Sequence, residues 1–502
     1  MPPAIATVIF AVGILGLFYL NRDGDIQPSK ALWVPTAWLL ITSSRPVSVW
    51  LGMAPRAGTG GIYLEGSPID RAVYIVLVAA GLAVAISRGR QVGPILRKNW
   101  PVVLFFSYAA FSIFWSDFPF VTFKHWCKGI GDVLMVLIIL TEQDPMDAIK
   151  RLITRIGFVL VPLSVLFIKY YPALGRTLTK GWAMEWTGVA MQKNSLGGLC
   201  LIVGLGFLWC IRAAHRDREN VYRTRRLWAL GTVLGMVIWL LWMCNSITSI
   251  ACLSMASGVM LLSERPAFRR NSALVHILVV AVLGIALYAL FFQSSGALVE
   301  DLGRNPTLTG RTEVWSQVLS IPVNRWVGAG YESFWLGHRL EQIRSIAGFA
   351  INEAHNGYIE IFLNLGWVGV SLLTLLILTG YTKVVATLRA NAEYGSLAVA
   401  FFLVPIIAGL TEAVFRMLAS TWFFFLVANM SALEAWAGNS AVSTVEASPT
   451  SDPAPFEPQL DHVLGVGPGG GYRLRRFGRF HPRYIGDCSP SRSDECGNAS
   501  WL

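Results

Sequence analysis

Thirteen apolar stretches, each between 16 and 24 residues, divide this chain: 3–20, 31–53, 72–88, 100–116, 126–141, 152–170, 188–211, 227–243, 247–263, 273–292, 357–379, 396–411 and 417–435. About 20 consecutive apolar residues in a helix cross the hydrocarbon core of a bilayer. Few other solutions are open to a chain built this way, and the pattern predicts an all-α polytopic membrane protein with about 12–13 transmembrane helices. The charge content agrees. Only 14% of residues are charged and mean hydropathy is +0.53, whereas soluble domains carry roughly 25% charge. The 19 tryptophans suit a protein with two membrane interfaces.

Basic residues in short loops orient such a protein. They gather at Arg88, Arg90, Arg97 and Lys98; at Arg212, Arg216, Arg218, Arg223, Arg225 and Arg226; at Arg265, Arg269 and Arg270; and at Lys383 and Arg389. With thirteen spans these loops fall on one side, taken as cytoplasmic. Residues 293–354 then form a large periplasmic loop between two late helices, and the loops at 117–125 and 171–187 share its side. The N-terminus is expected outside and the C-terminus inside. The first run has no basic start and no clear small-residue cleavage site, so it reads as an anchor.

The net charge of +11 has a bland source in these cytoplasmic loops, so no nucleic-acid partner is expected. The seven cysteines have no metal-ligand spacing, and most lie in or beside apolar runs, where thiols act as small hydrophobes. Residues 1–435 are expected to form the transmembrane helical domain, including the periplasmic lid loop 293–354. Residues 436–502, rich in Ser, Pro and Gly, read as a disordered cytoplasmic tail. Its basic patch at Arg473, Arg475, Arg476, Arg479 and Arg483 is either a solvated segment or a contact for anionic headgroups.

The long outer loop carries the chemistry. Val314, Trp315, Val318 and Leu319 recur at helical spacing, followed by Trp326, Tyr331, Phe334 and Trp335, so the loop is expected to pack down as a lid. It ends in NEAHNGYIEIFLNLGWVG, which sets Glu353, His355 and Asn356 at the mouth of the next span. Arg311 follows Gly310 in the loop. On the same side, Arg176 and Lys180 precede QKNSLGG, where Lys193 and Asn194 fall inside an apolar run. An ionisable residue within a span is a functional candidate. Each has a structural alternative: a snorkelling Lys193, a surface Arg311 capping a helix, an inert His355 at a helix N-terminus.

Outside an inner membrane there is no ATP, so a biosynthetic enzyme there needs a donor that arrives activated in the membrane. A polyprenyl-pyrophosphate-linked sugar meets that need. Arginine, with its fork of donors, suits the departing pyrophosphate, and imidazole suits the acceptor hydroxyl. Arg311 is therefore expected to be catalytic and to anchor the pyrophosphate with Arg176 and Lys193. His355 is expected as general base, held neutral by the helix N-terminus and Arg311. Glu353, Asn356 and Asn194 are expected to orient the ring or the acceptor. No metal or cofactor is expected.

These motifs resemble the O-antigen ligase and Wzy-type polysaccharide polymerase superfamily of bacterial envelope proteins. The resemblance rests on His355, Asn356, nine residues, then Gly366 and Gly369. It is strengthened by Gly310, Arg311, Trp315, Pro322, Gly328 and Gly330, by the Lys193–Asn194 pair, and by LWVPTAWLLITSSRPVSVWL, YLEGSPIDR and FSIFWSDFP, which look like the exopolysaccharide-production branch. It covers residues 30–435. It implies a metal-independent glycosyltransferase in the bacterial inner membrane with an undecaprenyl-pyrophosphate donor. The implied acceptor is another glycan, for a polymerase, or lipid A–core, for a ligase. Other implied partners are membrane lipids and polysaccharide-export proteins. The competing class is a transporter or flippase, but no internal repeat of the kind such proteins often carry is visible.

Overall fold

The computed structural model describes residues 1–22, 29–53, 66–178, 184–292, 307–347 and 351–431. The expectation for the tail 436–502 and the candidate Lys180 lie outside them. The all-α polytopic class is borne out: every expected span meets a helix, and the one sheet among the described residues is a short hairpin, Arg176–Leu178 paired antiparallel with Met184–Trp186. Among the described residues, six helices are long and apolar enough to cross a membrane: Pro3–Leu20, Pro68–Ser87, Pro145–Tyr170, Lys193–Arg216, Arg223–Cys244 and Gly357–Ala390. Shorter apolar helices include Ile247–Ser263, Ala392–Ala408 and Ser420–Met430. The run at 31–53 is not one helix. It breaks between Trp33–Thr42 and Val47–Trp50, where Pro46 cannot continue a hydrogen-bonded turn.

Burial sorts the helices. Every residue from Thr421 to Met430 is buried, so this helix is a central post, apolar on all sides as interior helices are. Pro3–Leu20 and Pro68–Ser87 are the opposite case, with only 11% and 17% of their apolar windows buried. In a membrane their open faces meet lipid. Small residues let interior helices approach. A Cβ on Gly157 would stand 2.5 Å from Phe207, and one on Gly206 would stand 2.5 Å from Ile153, so Pro145–Tyr170 and Lys193–Arg216 interlock at two reciprocal notches.

The described part of the segment expected as a lid, residues 307–347, packs against the first turns of the helix that follows it. Helices Thr307–Ser320 and Gly337–Ala347 enclose a second small core of Val314, Val318, Phe334, Leu340 and Ile343, which closes on Leu363 of the following helix. That helix, Gly357–Ala390, is interrupted at Gly366, whose φ of 65° and ψ of −164° are open essentially to glycine alone. The break turns its backbone toward the lid. Ala329 and Gly330 donate to the carbonyls of Leu363 and Asn364 at 3.0 and 2.8 Å, and Trp367 and Val368 donate to those of Arg325 and Trp326 at 2.9 and 3.1 Å.

Candidate functional site

The site forms where the lid, the helix mouth at His355 and the segment between Ala408 and Ser420 meet. Asn356 begins the helix as its N-cap, its Oδ1 accepting from Tyr358 N at 3.0 Å and Ile359 N at 3.1 Å, the geometry that favours Asn there. Its Nδ2 donates to Leu410 O at 3.1 Å. Both ends of the amide are therefore engaged with backbone. One residue earlier, His355 takes φ 49°, and its ring lies beside two carboxylates.

Those carboxylates are Glu353 and Glu412. His355 Nδ1 lies 3.1 Å from Glu353 Oε1 and 3.7 Å from Glu412 Oε2, within ion-pairing distance but not aligned for a hydrogen bond to either. Glu412 is the hub. Arg311 Nη2 reaches its Oε1 at 3.1 Å, and Asn194 Nδ2 donates to both its oxygens at 3.1 Å. Glu353 is shared in turn with Arg416, at 3.2 Å, and Arg416 also pairs with Glu332 at 3.4 Å. A cavity of 320 Å³, lined in part by Gln192, Asn194, Thr248, Glu353 and Glu412, opens beside the cluster.

Three carboxylates thus face two guanidinium groups, leaving one uncompensated negative charge around a neutral ring. Burial disfavours the imidazolium, as does Arg311, but Glu412 and Glu353 outweigh them and hold the His355 pKa above its ordinary value. The expected direction, toward the neutral ring, is the opposite of this shift. That expectation considered the helix N-terminus and Arg311 and missed Glu412, which lies more than fifty residues along the chain.

The three expected pyrophosphate ligands are held by separate partners. Arg311 is on Glu412. Lys193 Nζ lies 2.8 Å from Glu185 Oε1. Arg176 donates from Nε and Nη2 to Ile168 O at 3.0 and 2.9 Å and lies over the Trp186 ring, its direct cross-strand neighbour. Of the sequence candidates, the structure therefore gathers Glu353, His355, Asn194 and Arg311, and leaves Arg176 and Lys193 with other neighbours. Glu332, Glu412 and Arg416 were missed. Glu412 sits at the edge of an apolar run, the same signal that singled out Lys193. Glu360 and Asn364 were also missed. They pin the lid: Glu360 accepts from Trp335 Nε1 at 2.9 Å and from Ala354 N at 2.5 Å. Asn364 Oδ1 accepts from Ser333 N and Phe334 N at 2.9 and 3.0 Å.

Among the described residues, Glu353, His355 and Glu412 offer metal-ligand atoms within 4.8 Å of one another. Two carboxylates and an imidazole are a chemically reasonable donor set, but here Arg311, Arg416 and Asn194 already occupy the carboxylate oxygens.

No protein-family model matches the chain. It is 28% identical over 298 residues to the "Exopolysaccharide production protein ExoQ" of Rhizobium meliloti (strain 1021), an alignment covering 56% of this chain and 64% of that protein. The chain thus matches somewhat under two thirds of the length of this curated relative. The similarity bears out the resemblance to the exopolysaccharide-production branch that the motifs suggested.

Proposed function

We propose that this chain, a multi-pass membrane protein, acts in exopolysaccharide production as a metal-independent glycosyltransferase of the bacterial inner membrane. It polymerises or ligates undecaprenyl-pyrophosphate-linked oligosaccharide at the periplasmic face, within a transmembrane domain of residues 1–435. The observation that carries this reading is the convergence of Arg311, Asn194 and His355 on Glu412 under the lid. In the reaction the bond from the sugar's anomeric carbon to the pyrophosphate breaks, a bond to the acceptor hydroxyl oxygen forms, and that hydroxyl gives up its proton. With Nδ1 facing two carboxylates, Nε2 is the ring nitrogen available to receive it, the division of labour seen wherever a carboxylate orients a histidine base.

Arg311 couples the two halves of this chemistry. At rest it pairs with Glu412 and weakens that residue's pull on the imidazolium. When it turns to the donor pyrophosphate, Glu412 is left to His355 and the ring becomes a stronger base. Arg176 and Lys193 enter this reading as more distant cations that meet the donor's charge after leaving their present partners.

The test is turnover of a lipid-linked oligosaccharide by purified protein. A general base contributes typically about 10²–10⁴-fold, so His355→Ala is expected to lose roughly that factor while still binding donor. Turnover at the parental rate would make the histidine structural. Loss of activity on chelation, restored by a divalent cation, would overturn metal independence.

A further inference from the structure

Asp132 is a carboxylate inside the expected span 126–141 that the chemistry proposed above does not use. It lies on helix Pro119–Leu140 and is only 1% exposed. Among the described residues, no cation pairs with it. A buried acid without a counter-ion is costly, and an ionisable residue within a span is a functional candidate. Its two oxygens serve two separate elements. Trp38 Nε1 donates to Oδ1 at 2.8 Å, and Leu418 N donates to Oδ2 at 2.9 Å. A carboxylate accepts at both oxygens, whereas an amide accepts at one end only, so this pair of donors calls for Asp and not Asn.

We propose that Asp132 is a positioning residue for the reaction. It fixes the segment that carries Glu412 and Arg416, and through Arg416 it sets the charge that Glu353 presents to His355. The proposal rests on the catalytic reading of His355 given above.

The segment in question joins helices Ala392–Ala408 and Ser420–Met430. Its upstream end is tied to the helix mouth: Gly357 N donates to Gly409 O at 2.8 Å, and Asn356 Nδ2 donates to Leu410 O at 3.1 Å. Asn194 holds Glu412 itself. The downstream end is tied at Leu418, two residues after Arg416. Leu418 takes φ 63°, a left-handed conformation that a leucine keeps only where its surroundings enforce it, and the bond to Asp132 is one such restraint.

The same helix locates the other half of the Arg416 pair. His125 stands seven residues before Asp132, two turns away on the same face, and its Nδ1 meets Glu332 O at 3.0 Å. Tyr331 rests on Gly129, where a Cβ would stand 2.8 Å from its hydroxyl. Glu332 pairs with Arg416 at 3.4 Å, and Arg416 reaches Glu353 at 3.2 Å. Glu353 is the carboxylate 3.1 Å from His355 Nδ1. On release of Leu418 the upstream ties keep Glu412 in place while Arg416 shifts. Of the charged groups facing His355, which are Glu353, Glu412 and Arg311, Glu353 then loses its counter-charge and draws the imidazolium harder.

The experiment uses the full chain in phosphatidylcholine nanodiscs, with amide exchange and an NMR titration of the labelled histidine imidazoles. In Asp132→Asn the Leu418 amide should exchange about tenfold faster, the protection an ordinary hydrogen bond gives, and His355 should titrate at higher pH. Amides of Thr421–Met430 should stay protected. Adding Trp38→Phe removes the competing donor and frees the amide oxygen for Leu418 N, so this double variant should recover most of both effects. It also reads both quantities where Asp132→Asn alone loosens the central helix. In an Arg416→Gln background, Asp132→Asn should move the His355 titration no further, because coupled residues are not additive. Faster Leu418 exchange with His355 titrating as in the parent makes Asp132 merely structural and overturns the proposal. A shift that persists in full without Arg416, or no recovery with Trp38→Phe, overturns it as well. Turnover of the lipid-linked oligosaccharide should fall in Asp132→Asn and return in part with Trp38→Phe. If the parent itself turns nothing over, the function proposed above fails, while exchange and titration in the resting protein still decide whether Asp132 sets the state of His355.

Discussion

Gly366→Ala is expected to detach the lid from its helix. The perturbation is steric and conformational together. At φ 65° and ψ −164° a non-glycine residue costs on the order of 1–3 kcal/mol. A Cβ there would also stand 2.3 Å from the backbone of Trp326, a contact that rotation of a side chain cannot relieve. Relief requires the 325–330 segment to move away, and that segment is held by four backbone bonds of 2.8 to 3.1 Å. Each contributes about 0.5–1.5 kcal/mol net, so their loss amounts to roughly 2–6 kcal/mol, of the same order as the strain and clash it relieves. The variant should therefore keep its transmembrane bundle and lose the docked lid. Hydrogen exchange on the full-length protein would read this directly: amides of Ala329, Gly330, Trp367 and Val368 should exchange at least tenfold faster, while those of Thr421–Met430 stay protected. Gly235→Ala is the control, since a Cβ there meets nothing within 4 Å. If Gly366→Ala exchanges like the control, the backbone break is not what holds the lid.

Further outcomes follow from the site. Because His355 is held above its ordinary pKa by Glu412 and Glu353, activity that needs its neutral form should rise with pH along a limb above the usual imidazole range, and Glu412→Gln should move that limb to lower pH; an unmoved limb would refute the coupling. The linked stability has the opposite sense: the raised folded value contributes stability that is full below the unfolded value of about 6.5 and is lost as pH rises through the folded one, so the melting temperature of the parent should fall over that window more than that of His355→Gln. Arg311→Ala should abolish product at normal protein level, and Arg311→Lys should fail substantially, because an ammonium lacks the bidentate fork; full activity in Arg311→Ala would remove it from the site. In a cysteine-free background, Ile346→Cys, exposed by 51%, should react with an impermeant thiol reagent in intact cells and Arg218→Cys should not; the reverse pattern would invert the membrane orientation.

The fold was legible because its cause is local: a run of apolar residues specifies a helix wherever it lies, and each expected span meets one. The break within 31–53 was the exception, although Pro46 stood there to be read. The site was legible in half. Glu353, His355 and Asn356 are adjacent in sequence, and Asn194 and Arg311 were marked by position. Their meeting point was not, because Glu412 is joined to them only by packing of the last helices against the lid. The charge state of His355 depended on that one unseen neighbour. Arg176 shows the converse: as a loop arginine it read as an anion ligand, whereas pairing with Trp186 and Ile168 O depends on a hairpin register that composition does not specify.

The opened helix at Gly366 also makes the His355–Gly366 interval a ruler. The cap at Asn356 fixes where the imidazole stands, the opening at Gly366 fixes where the lid attaches, and about 15 Å of helix between them sets phase as well as distance at about 1.5 Å and 100° per residue. One inserted residue would leave cap, break and lid chemically intact, yet swing the lid about a quarter of the way round the helix from the histidine it covers. The nine-residue spacing is therefore a dimension of the site in its own right. An insertion and a deletion of one residue should each silence the protein more completely than most substitutions within the interval, and an insertion restoring a whole turn should recover part of what a single one loses.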